Sequence, residues 1–90
     1  MEKEFFNWSE KKNLILKTER DVAFEDVILA INEDRLLGIV EHSSEKYKGQ
    51  KIFIIEINEY AYLVPFVRNK NEIFLKTIIP SRKATKKYLN

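Results

Sequence analysis

Lys51-Ile52-Phe53-Ile54-Ile55-Glu56-Ile57-Asn58-Glu59-Tyr60-Ala61-Tyr62-Leu63-Val64-Pro65-Phe66-Val67 is the stretch that decides the fold. Its first seven residues put Ile52 and Ile54 on one side and Phe53, Ile55 and Ile57 on the other, as side chains alternate along a strand. A strand apolar on both faces is central in its sheet and covered on both sides. Asn58-Glu59 fits a two-residue hairpin turn, because asparagine tolerates positive φ. Tyr60–Val67 is the partner strand. Pro65 removes a ladder donor from it, which predicts a bulge or a locally free edge. Arg68 closes this strand, Asn69-Lys70-Asn71 makes a second turn, and Glu72–Ile79 is a last strand with Lys76 exposed midway. The three strands form an antiparallel meander.

Downstream, Pro80 fixes φ and lacks a donor, so the apolar run stops there. Ser81 can cap a short helix through the amides near Lys83 and Ala84. That helix carries Arg82, Lys83, Lys86 and Lys87 and no acid. Arg82 beside free helix N–H groups suits a phosphate; the other reading is a solvated surface helix. Geometry sets a condition on the two arginines. The end of one antiparallel strand lies by the start of the next, so Arg68 should lie nearer Glu72 than Ile79. It meets Arg82 only if the tail folds back towards it.

Upstream, Ser43–Gln50 is polar, contains Gly49 and reads as a loop. Leu36–His42 ends a helix and begins a strand, with Gly38 loosening the junction. His42 is an acid–base candidate because imidazole titrates near neutrality; a structural or exposed strand-end histidine is the alternative. Phe24, Val27, Ile28 and Ile31 fall at i, i+3, i+4 and i+7, predicting an amphipathic helix over Phe24–Arg35. Before it, Ser9 reads as the N-cap of a helix over Glu10–Lys17. This helix should bury Leu14 with Ile15 or Leu16 and expose Lys11, Lys12 and Lys17. Glu4–Trp8 is favourable for a strand, and Trp8 reads as a core or hinge aromatic, with a base-stacking platform as the alternative. The order is strand, two helices, antiparallel meander and short basic helix, a single α+β domain over residues 1–90.

With 44% hydrophobic and 33% charged residues the chain is of globular composition. No apolar run approaches the roughly 20 residues of a membrane-spanning helix, and the first residues do not form a signal peptide, so no membrane partner and a cytoplasmic location are expected. Cysteine is absent and histidine occurs once; neither a structural zinc site nor another metal site is expected. There is no glycine-rich phosphate loop and hence no expected cofactor. Charge is divided along the chain. Residues 1–45 hold 6 basic and 11 acidic residues, and residues 46–90 hold 10 basic and 3 acidic. If the two parts fold onto different faces, the basic face is a footprint for a polyanion.

Phe6-Asn7-Trp8-Ser9-Glu10-Lys11-Lys12-Asn13 resembles the opening motif of the BrnT family of bacterial toxins. Phe24-Glu25-Asp26 is similar to that family's helix start, and Ser81-Arg82-Lys83-Ala84-Thr85 to its closing segment. The resemblance runs in order through nearly the whole chain. It implies a RelE-like fold and the ribonuclease toxin of a type II toxin–antitoxin pair. It implies RNA as substrate, a ribbon-helix-helix antitoxin resembling BrnA as partner, and contact with operator DNA only through that antitoxin. Carried onto this chain, it makes Arg82 and Arg68 the phosphate-contacting catalytic candidates, with His42 as an acid–base candidate beside Lys12 and Tyr88. Lys83, Lys86 and Lys87 would track the RNA backbone, and Lys12 and Arg20 would reach it from the helical side. The implied chemistry is metal-independent, the substrate's own 2′-OH attacking the adjacent phosphate.

The chain departs from the family in three places. Glu19-Arg20-Asp21 stands where the family commonly has Lys-His-Gly. Ala23 replaces a serine N-cap, which should weaken that helix start by about 1 kcal/mol. Tyr62–Val67 is unlike the family's common strand. Two other readings of the residues stand beside the enzyme. One is a non-catalytic module whose basic face binds nucleic acid or an acidic antitoxin segment. The other is a structural subunit whose strand edge near Pro65 pairs with another chain.

Overall fold

The computed structural model describes residues 3–41 and 50–90. Its centre is the hairpin read from sequence: β3 (Lys51–Ile57) and β4 (Tyr60–Asn69) pair from Ile57↔Tyr60 to Lys51↔Phe66. Asn58 and Glu59 between them both have positive φ, 53° and 65°, the backbone of a two-residue turn whose twist suits the flanking strands. β2 (Leu36–Glu41) lies antiparallel on the far side of β3. On the far side of β4 lie β5 (Glu72–Leu75) and β6 (Ile79–Pro80), with β1 (Phe5–Asn7) outside β5. The strand order is β1-β5-β4-β3-β2.

Two expectations are corrected here. The sheet is mixed rather than wholly antiparallel, since β1 runs parallel to β5 with Phe6 beside Ile73. The meander leaves β5 antiparallel to β2, and the two-helix crossover brings the chain into β2 opposite to β1, so β1 and β5 run together. The last strand is also interrupted. Phe66 faces Leu75, the Lys76 amide bonds the Pro65 carbonyl at 2.8 Å, and the next pair is Leu63↔Ile79. Val64 therefore faces two residues, Thr77 and Ile78. This is the bulge that Pro65 foretold, since a strand residue's N–H and C=O point the same way and Pro65 has no donor to return to this neighbour.

α1 (Glu10–Arg20) and α2 (Phe24–Asn32) cover one face of the sheet. The core joins Leu16, Phe24, Val27 and Ala30 to Phe53, Ile55, Ile57, Val64, Phe66, Ile73, Leu75 and Ile78. Phe53 stacks on Phe66 with ring centroids 3.9 Å apart, and Trp8 stacks on Phe24 at 5.6 Å. Trp8 is thus a core aromatic. α3 (Arg82–Leu89) packs on the opposite face, over Ile54, Ala61 and Leu63. Both faces of β3 are thus packed against helices, the α3 face in part, since Ile52 stays half-buried. No helix among the described residues is long and apolar enough to cross a membrane.

α1 corrects the expected burial. Leu16 is 2% exposed, but Leu14 is 65% exposed and Ile15 is exposed too. The buried neighbour of Leu16 on the inner face is Asn13, one turn before it, at 1% exposure. Asn13 Oδ1 accepts from the Phe24 amide at 2.8 Å, and its Nδ2 donates to Glu25 Oε1 at 2.8 Å. Ala23 cannot cap α2 with its own side chain, so Asn13 supplies that acceptor from α1. Asp26 Oδ2 accepts from the Ala23 amide at 2.9 Å, completing the other half of the cap. The weakening expected from Ala23 is thereby offset. α2 ends at Asn32, earlier than the expected Arg35, because Asp34 takes up left-handed backbone (φ 61°) and Arg35 already serves the sheet. The Arg35 carbonyl accepts from Glu56, and its guanidinium bonds the Glu56 carbonyl at 2.8 Å.

The Asn13 amide holds the Glu25 carboxyl below its ordinary value, with help from its own backbone amide and from Lys17. A carboxyl whose folded pKa is lowered contributes stability that is present above its unfolded value and is lost as pH falls through the folded one. Acid titration of the unfolding midpoint is therefore expected to show a loss beginning near pH 4.5 that Glu25→Gln flattens. An unchanged acid limb in the variant would contradict this bond.

Candidate nucleic-acid interface

α3 divides lengthwise by charge. At about 100° per residue, Arg82, Lys83, Lys86 and Lys87 occupy one half of the helix. Ala84, Thr85, Tyr88 and Leu89 occupy the other, which faces the sheet. The helix is held at its start. Ser81 Oγ accepts from the Ala84 amide at 3.0 Å, as expected of an N-cap. The Ser81 amide donates to the Ala61 carbonyl, and Thr85 Oγ1 accepts from the Ala61 amide at 2.9 Å while donating to Ser81 O. Lys86 and Lys87 in the last turn suit the helix dipole, whereas Arg82 and Lys83 in the first turn oppose it. An anion bound there would relieve that opposition.

Between α3 and the sheet runs an open groove of about 460 Å³. Val40, Ile52, Ile54 and Leu63 make an aliphatic floor; Lys83 and Lys87, one turn apart, stand on the helix side with Tyr88, Ala84 and Ser81. Glu41 lines the other side at the end of β2. Lys87 Nζ lies 5.5 Å from the centre of the Tyr88 ring. A Cβ at Gly38 would meet that ring at 3.4 Å, an ordinary contact, so this glycine lies against the tyrosine within β2 and does not loosen a helix end. The ion pairs among the described residues are Glu33–Arg35 and Glu4–Arg68. Neither involves Lys83 or Lys87.

The two charge signs fold apart. Glu25, Asp26, Glu33 and Asp34 lie on or just after α2, while the cations of α3 lie across the sheet; α1 carries both signs. The sequence-predicted residues divide accordingly. Lys83 and Lys87 meet in the groove, and Arg82 and Lys86 lie on the outer side of the same helix. Lys12 and Arg20 are on α1, on the other face, and Arg20 Nη1 bonds the Ile78 carbonyl at 2.6 Å. Arg68 pairs with Ile73 at the far end of β4 and forms an ion pair with Glu4. The tail does fold back over the sheet, but beside Ala61, seven residues from Arg68 along β4, a separation of roughly 23 Å. The two arginines do not converge. His42 lies outside the described residues.

Glu41 and Gly38 are the groove features that sequence reasoning missed. Glu41 ends an apolar strand in the sequence, but only the position of α3 at that end of the sheet makes it a groove residue. Among the described residues no group of His, Cys, Asp and Glu gathers as a metal site. Comparison with models of protein families, with curated proteins and with solved structures gives no match for this chain.

Proposed function

We propose that the chain is the toxin of a type II toxin–antitoxin pair, a RelE-like, BrnT-related endoribonuclease of the cytoplasm that takes RNA into the groove beside α3. One observation carries the reading: Lys83 and Lys87 stand along an aliphatic floor with no carboxylate partner among the described residues. Cations that follow a backbone, combined with an apolar surface for bases, are the elements of single-strand binding. Lys83 and Lys87 contact the phosphates, with Arg82 and Lys86 extending the cationic track along the outer side of the helix.

In the cleavage step the substrate's 2′-oxygen attacks the adjacent phosphorus and the bond to the 5′-oxygen breaks. The products are a 2′,3′-cyclic phosphate and a 5′-hydroxyl. The nucleophile comes from the substrate, so the step calls for neither metal nor cofactor. The two lysines stabilise the charge that develops on the phosphoryl oxygens. The acid–base candidate is His42, the residue that follows Glu41 in the chain: as imidazole it takes the 2′-OH proton, and as imidazolium it returns a proton to the departing 5′-oxygen. A ribbon-helix-helix antitoxin is the proposed partner, with operator DNA reached only through it.

A second reading, binding without cleavage, is favoured by the separation of Arg68 from Arg82, which denies one phosphate two guanidinium forks. Incubating labelled single-stranded RNA with the chain and with Lys83→Gln/Lys87→Gln separates the readings. Cyclic-phosphate product from the parent and not the variant is the expected result. RNA that is bound but left intact by the parent would replace the enzyme with the binding module.

A further inference from the structure

The groove exists only because α3 leaves the sheet on the face opposite α1 and α2, and that choice is made by a single residue of register. Leu75 faces Phe66 and Ile79 faces Leu63. Four steps along the outer strand thus match three along β4, with Thr77 and Ile78 together opposite Val64. Were the ladder regular, Ile78 would face Leu63 and Ser81 would face Tyr60. Every side chain from Ile79 onward would then change face, since a one-residue slip inverts a strand. With the bulge, Ser81 lies opposite Ala61, donates to its carbonyl at 3.0 Å, and begins α3 on the open face.

Two residues maintain the bulge. Pro65 has no N–H to draw the outer strand into a regular ladder. Arg20 reaches from the last turn of α1 and donates from Nη1 to the Ile78 carbonyl at 2.6 Å, at the bulge itself. Ile78 is fully buried among the core residues of the α1 and α2 face, so this carbonyl is fixed from both sides. We infer that Arg20 is a positioning residue: by holding the bulge opposite Val64 it sets the phase of the last strand and so places Lys83, Lys87 and Tyr88 over the groove. Its reading as an RNA contact is thereby replaced by a role at the bulge.

The placement of α3 has its own reporter. The chain contains two glycines, Gly38 and Gly49, and the Tyr88 ring lies against Gly38. The NMR position of the Gly38 resonance therefore follows α3 whether or not RNA binds. In Arg20→Met, Gly38 is expected to lose most of its ring-induced shift while the chain stays folded. Arg20→Lys, which retains one donor, should restore part of that shift, and Lys12→Met on the same helix should leave Gly38 unmoved. The affinity readout rests on the proposed RNA site: Arg20→Met should weaken single-stranded RNA binding roughly tenfold, as expected when phosphate-contacting lysines are displaced. A Gly38 resonance unchanged in Arg20→Met overturns the inference, whatever RNA does. An RNA-binding loss without a Gly38 shift also overturns it, since Arg20 would then contact RNA directly. If Arg20→Met fails to fold, Arg20→Lys decides alone: a partial Gly38 shift supports the inference and none overturns it. A Gly38 shift with no RNA binding by the parent leaves the positioning role standing and sinks the RNA reading.

Discussion

Asn13→Ala is expected to lower the free energy of unfolding by about 2–3 kcal/mol, the sum of a lost cap and an unsatisfied buried donor. For a chain of this size that corresponds to a fall of roughly 10–20 °C in Tm. Asn13 is 1% exposed, and its two hydrogen bonds tie α1 to the first turn of α2. Removing it strands the Phe24 amide, whose residue is fully buried, so water cannot replace the acceptor without opening the core. Asn13→Asp separates the two bonds. It keeps the acceptor for Phe24 but sets a second carboxylate against Glu25, and should fall between the parent and the alanine variant at neutral pH. Thermal unfolding followed by circular dichroism measures both. A change in Tm of only a degree or two in Asn13→Ala would show that Ala23 needs no cap from α1.

The second large effect belongs to Lys83→Gln/Lys87→Gln. Both lysines are on the exposed half of α3, and the residues that hold the helix, Ser81, Ala84, Thr85, Tyr88 and Leu89, are untouched. The fold should therefore survive, with Tm close to that of the parent. Binding to single-stranded RNA should weaken by roughly one to two orders of magnitude at low salt. The dependence of log K on log salt should flatten by about 1.4, two phosphate contacts at about 0.7 each. Arg68→Gln is the matched comparison. Its ion pair with Glu4 is exposed, and such pairs contribute between zero and about 1 kcal/mol; its place at the far end of β4 predicts unchanged RNA binding. Fluorescence anisotropy across a salt series reads both variants. A flat response in the lysine variant with a steep loss in Arg68→Gln would move the site to the other end of the sheet.

Local signals carried the reading where local physics decides the structure. The alternation in Lys51–Ile57 identified the central strand, Asn58-Glu59 the turn, Ser81 the cap of α3, and Pro65 the bulge. Each of these depends on backbone chemistry within a few residues. What the sequence did not disclose depends on elements meeting from afar. Periodicity offered Leu14 and Ile15 as well as Leu16 to the core, and the place was taken by Asn13 because its side chain accepts from the Phe24 amide on the next helix, where Ala23 offers no cap of its own. Gly38 looked like a helix end until Tyr88 was found against it. The parallel placement of β1 follows from counting crossovers, which no single motif expresses. For the site, the cationic half of α3 was legible from composition, but its groove was not. The groove needs the apolar face of β3 and β4 beside α3, the phase set opposite Val64, and the end of β2 brought alongside.

The most direct test of the groove as the functional site is a footprint of RNA on the labelled chain. A short single-stranded oligonucleotide is added to the ¹⁵N-labelled protein and the backbone amides are followed by NMR. Ile52, Leu63, Lys83, Lys87 and Tyr88 are expected to shift together in a saturable way, while Arg68, Asn69 and the residues of α1 stay in place. Shifts confined to Arg68 and its neighbours or to α1, with α3 unmoved, would contradict it.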